Sequence, residues 1–91
     1  MNKLRLAILF GLQKFGREKT FSKILDDAGV RFTKSQLLEA ANELEALGLI
    51  KSITYQLPVE ITAELTPYGH ELLNSNLIEV TRSAHFRPNY E

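Results

Sequence analysis

Apolar residues recur at the spacing of one helix face between Leu37 and Leu47: Leu37, Ala40, Ala41, Leu44 and Leu47. Thr33 and Gln36 precede that face as a capping box. The threonine hydroxyl can accept from the backbone N–H three residues on, and the glutamine can reach back to the threonine N–H. Gly48 stops the helix, because glycine enters the left-handed region without steric cost. From Leu49 the period changes to alternation. Lys51, Ile53, Tyr55 and Leu57 share one parity, and after Pro58 so do Val59, Ile61, Ala63 and Leu65. Two alternating runs around a Gln-Leu-Pro-Val-Glu tip predict a β-hairpin.

The flanking segments complete the order. Leu4, Ala7, Ile8, Gly11, Leu12 and Phe15 make a helical stripe over residues 1–15, and Leu6, Leu9 and Phe10 widen it to a second side. A helix apolar on two sides asks for a second partner. Ser22 is a good cap for a short helix over residues 23–28, with Thr20-Phe21 extended before it. Thr66-Pro67 opens a last helix, threonine as cap and proline at the first helical position. Gly69 lowers its helical propensity but permits close packing. Asn74-Ser75-Asn76 is expected to break it. Leu77, Ile78 and Val80 then form a small apolar patch. The predicted fold class is mainly α with a small β-hairpin, in the order helix-helix-helix-hairpin-helix. Residues 1–76 form one domain, and 77–91 a C-terminal extension ordered by a partner or not at all.

Composition changes this picture little. The chain has 91 residues, 44% hydrophobic and 24% charged, which is one ordinary globular domain. It has no cysteine, which rules out disulfides and thiolate metal ligands and suits a reducing, cytoplasmic setting. No apolar run has membrane-spanning length, and Leu6–Leu12 runs into Gln13 and Lys14 without a small-residue cleavage site. Charge is balanced overall but not along the chain. Residues 1–23 hold six cations against Glu18 alone, and residues 24–79 hold three against nine acids. Such asymmetry points weakly to a nucleic-acid-facing side.

Two stretches carry a resemblance. Leu44-Glu45-Ala46-Leu47-Gly48-Leu49-Ile50 is similar to the join between recognition helix and wing in many bacterial regulators, including the MarR and PadR types. Leu65-Thr66-Pro67-Tyr68-Gly69-His70-Glu71-Leu72-Leu73 is similar to their helix start after the wing. The pattern resembles a winged helix-turn-helix domain. Its compact length and Met-Asn-Lys-Leu-Arg start most resemble the small YjcQ-like proteins of bacteria and their prophages. The resemblance implies a small DNA-binding transcriptional regulator. Its third helix would enter a major groove with Thr33, Lys34, Ser35 and Gln36 leading, and Glu39 and Asn42 following. Gln and Asn can pair bidentately with adenine, and Lys with guanine. Arg17, Lys19 and Lys23 at the start of the second helix, and Arg31 in the turn, are the expected backbone contacts. A homodimer on double-stranded DNA is the expected assembly, and it would match a palindromic site.

Two features oppose DNA. The third helix carries Lys34 against Glu39, Glu43 and Glu45, and residues 54–66 hold no cation but include Glu60 and Glu64. Phosphate neutralisation supplies most non-specific affinity, so such a wing adds little. The alternative is a protein-interaction module, with Tyr55, Leu57, Val59 and Ile61 on the wing and Leu6 and Phe10 on the first helix as its interface. Catalysis is not expected. The chain lacks a nucleophile motif, a phosphate loop and a metal-spaced cluster, and His70 and His85 have no partner motif. Asp26 and Asp27 are adjacent, and adjacent helix positions point apart. No cofactor, metal or membrane partner is expected.

Overall fold

The computed structural model describes residues 2–56 and 60–84, with 76–84 described by backbone alone. The predicted order is present: α1 (Lys3–Phe15), a single 3-10 turn (Gly16–Glu18), α2 (Phe21–Ala28), α3 (Lys34–Ala46), β1 (Ile50–Gln56), β2 (Glu60–Leu65) and α4 (Pro67–Ala84). Leu4, Ile8, Leu9 and Leu12 of α1 meet Phe21, Ile24 and Leu25 of α2. Leu37, Ala40, Ala41 and Leu44 of α3 close the same core, joined by Leu49, Ile50, Ile61, Ala63 and Leu73. Leu6 and Phe10, the second side of α1, are partly buried against that core. Much of the surplus apolar surface of α1 is therefore covered within the chain.

Local chemistry sets the helix ends. Asn2 caps α1 by accepting from Arg5 N at 2.9 Å. Helix α2 starts two residues earlier than expected, because Thr20 rather than Ser22 is its cap, accepting from Lys23 N at 3.3 Å. Leu47 is not part of the buried face of α3; it sits at the C-cap and is exposed. The expected break at Asn74–Asn76 is absent, and α4 continues to Ala84. Asn and Ser lower helix propensity by only a few tenths of a kcal/mol each, too little to end a helix that has leucines on both sides. The side chains of Leu77, Ile78 and Val80 lie outside the described residues, as do residues 85–91.

The hairpin is antiparallel, with Ile50 opposite Leu65, Thr54 opposite Thr62, Tyr55 opposite Ile61 and Gln56 opposite Glu60. A bulge falls between Lys51 and Thr54, where Ser52 has φ +55°. The extra residue resets the alternation, so Ile50 and Ile53 both turn toward the core. At the root, Thr66 N donates to Leu49 O at 3.0 Å and its hydroxyl donates to Gly48 O at 2.6 Å. The same hydroxyl oxygen accepts from Gly69 N at 3.0 Å, as the cap of α4. One threonine thus ties the end of α3, the root of the wing and the start of α4.

Candidate nucleic-acid interface

Helix α3 begins with the predicted capping box. Thr33 Oγ1 accepts from Gln36 N at 3.2 Å, and Gln36 Oε1 accepts from Thr33 N at 2.8 Å. A bidentate adenine contact needs both ends of the glutamine amide, and the cap occupies its oxygen. Gln36 and Thr33 therefore fix the start of the helix, and neither side chain is free to read a base as expected. Lys34 and Ser35 are exposed on that first turn. At 100° per residue, Ser35, Glu39, Asn42 and Ala46 point away from the buried Leu37, Ala40, Ala41 and Leu44, and all four are exposed.

The basic front of the sequence is folded onto the acidic remainder. Arg17 is not free to meet a phosphate. Its guanidinium donates to Glu64 Oε2 at 3.2 Å, to Thr54 Oγ1 at 3.3 Å, to Thr62 Oγ1 at 3.2 Å and to the Ser52 carbonyl. Four acceptors on the polar face of the hairpin consume it. Lys19 Nζ lies 2.7 Å from Asp27 Oδ2 and 3.8 Å from the centre of the Phe15 ring. Lys23 Nζ lies 3.3 Å from Asp27 Oδ1, though most of its side chain remains exposed. The hydrogen bond from Lys19, then that from Lys23, holds the Asp27 carboxyl below its ordinary range. Arg5 of α1 pairs with Glu43 of α3 and has Glu39 Oε1 at 4.0 Å. Among the described residues Arg31 and Lys34 make no ion pair, and both are exposed where α2 turns into α3.

Of the wing residues expected as a protein contact, Ile61 is not available. Ile61 is 1% exposed and belongs to the core, because the register places it beside Ala63 against the helices. Tyr55 is 52% exposed. Leu57 and Val59 lie outside the described residues. Glu60 turns toward α2, where Ser22 Oγ donates to its carboxylate at 3.3 Å.

Sequence reasoning missed the partners of these charges. Arg5 and Arg17 belong to the basic front by sign, while their acceptors lie far along the chain. The one local signal was the Glu39–Glu43 pair, four residues apart and able to face one cation. Among the described residues no group of three or more His, Cys, Asp and Glu is placed to hold a metal ion. His70 is exposed, and His85 lies outside the described residues. No helix among the described residues is long and apolar enough to cross a membrane.

No family model and no curated protein sequence matches the chain. Among solved structures it is similar to the transcriptional regulator BldR from Sulfolobus solfataricus, with a TM-score of 0.62 and 20% sequence identity. The similarity covers 96% of this chain and 62% of that one, so this chain spans less than two thirds of that regulator's chain. At that identity the likeness carries the fold: three helices, a two-stranded wing and a following helix form a winged helix-turn-helix.

Proposed function

We propose that this winged helix-turn-helix chain binds double-stranded DNA as a small transcriptional regulator of bacterial or prophage origin. The observation that carries the reading is the first turn of α3. Exposed Arg31 in the turn before α3 and exposed Lys34 at its first residue make no ion pair among the described residues, with outward-facing Ser35 next to Lys34 and Asn42 about two turns further along. A recognition helix enters the major groove by its N-terminal residues, which brings these groups to the duplex first. Arg31 and Lys34 neutralise phosphates, while Lys23 is paired with Asp27. Ser35 and Asn42 reach base edges, the asparagine suited to adenine. The wing, cation-free over 54–66 in sequence, adds little phosphate affinity, so α3 and its turn supply most of the contact. A homodimer on a palindromic site follows from the same reading, and a monomeric mass in solution would remove that element.

The test is fluorescence anisotropy with mixed-sequence duplex DNA at low and moderate salt. Binding that weakens with salt, and weakens further in an Arg31→Ala/Lys34→Ala double variant, is the expected result. Absence of binding even at low salt would leave the second reading, a protein-binding wing. Half-exposed Tyr55 favours that reading, and Tyr55→Ala would then disturb the partner complex while leaving the fold intact.

A further inference from the structure

Resting on the DNA-binding reading above, we infer that Glu39 is a base-reading residue that selects a C·G pair next to the pair read by Asn42. Three polar side chains occupy the outward stripe of α3: Ser35, Glu39 and Asn42. Their neighbours are spoken for. Gln36 is held in the capping box, and Glu43 pairs with Arg5 on the flank. Glu39 is 76% exposed, and its nearest cation, Arg5 Nη2, stands 4.0 Å away. A charge-assisted hydrogen bond is about 2.7–2.9 Å long, so Arg5 leaves that carboxylate open to a donor from outside.

The chemistry of a carboxylate narrows what that donor is. An ionised carboxylate only accepts. In the major groove the donors are the N4 amino group of cytosine and the N6 amino group of adenine. The guanine O6 and N7 and the thymine O4 repel it. On adenine the N7 acceptor stands beside the N6 amino group and repels the carboxylate, which leaves cytosine as the base Glu39 reads. The three-residue step from Glu39 to Asn42 rises about 4.5 Å along the helix, between one and two base-pair steps of about 3.4 Å, so the two side chains reach different pairs. In a non-specific complex no amino group is in register, and the carboxylate then faces phosphates and weakens binding. Glu39 therefore raises discrimination by two routes: a hydrogen bond at the right pair and repulsion elsewhere.

The experiment selects preferred duplexes from a random pool with the wild-type chain. Affinities are then measured for the selected site, for the same site with one C·G pair changed to T·A, and for mixed-sequence DNA. Wild type should lose about tenfold or more at that pair. Glu39→Ala should lose less than about twofold there, while binding mixed-sequence DNA more tightly than wild type. Glu39→Ala should melt with wild type, since the side chain is exposed. A Glu39→Ala protein that keeps the wild-type base preference at every position overturns the inference while leaving DNA binding in place. A wild-type chain that binds no duplex at low salt overturns the reading beneath it as well.

Discussion

Gly69 has no room for a side chain. A Cβ built there would stand 2.5 Å from the Leu49 carbonyl oxygen and 2.8 Å from Leu65 Cδ1. Backbone cannot yield as a flexible side chain can, so Gly69→Ala should push α4 away from the wing root. That overpacking should cost about 1–3 kcal/mol, against which the better helix propensity of alanine returns about 1 kcal/mol. A urea midpoint above wild type would show that α4 is not packed this closely. Asp27 makes a second residue-scale prediction. Lys19 and Lys23 lower its pKa on folding, so its contribution to stability is complete above the ordinary aspartate range. That contribution is lost as pH falls through the depressed folded value. The Asp27 carboxyl should titrate by NMR below an unfolded-peptide aspartate, and Lys19→Ala should move it back up more than Lys23→Ala.

At the scale of elements, Arg17 joins the 3-10 turn to the wing. The bulge at Ser52 takes one carbonyl out of the ladder, and the guanidinium accompanies that carbonyl with Thr54, Thr62 and Glu64 around it. Arg17→Ala should therefore speed hydrogen exchange in β1 and β2 and lower stability by about 1–2 kcal/mol, since hydrogen bonds to a charged donor are among the stronger ones. Exchange that stays at the wild-type rate would show that the wing holds itself. This contact also marks where sequence stopped being informative. The capping box at Thr33, the Thr66-Pro67 start, the Gly48 stop and the hairpin were legible because each depends on residues within a few positions. The Ser52 bulge was not, since a one-residue slip is set by both strands and by what packs on them. Nor was Arg17, whose acceptors Ser52, Thr54, Thr62 and Glu64 lie thirty-five to forty-seven residues away. Its charge was visible and suggested a phosphate, but its partner was visible only in the fold.

Across the whole molecule, that difference changes how charge is understood. In sequence, a basic front faces an acidic remainder, and the simplest use of a basic front is a polyanion. In the fold the two halves neutralise each other: Arg5 with Glu43, Arg17 with Glu64, Lys19 and Lys23 with Asp27. The pairs are mostly surface ones and individually stabilise little. Their larger effect is on the field, because a cation already facing a carboxylate releases no net counterion when a phosphate replaces that partner. The salt dependence of DNA binding counts the cations that do. If Arg17, Lys19, Lys23, Arg31 and Lys34 all met phosphates, the slope of log K against log salt would be about −4.5 per protomer, at about −0.9 for each contact. With the first three held internally it should be about −2, and Arg31→Ala/Lys34→Ala should bring it close to zero. Lys19→Ala and Arg17→Ala should leave it near −2. A wild-type slope near −4.5 would mean that the ion pairs open on DNA and that the front binds phosphate after all. The shallower slope would make this a reader that gains little from the backbone and depends on the bases facing α3.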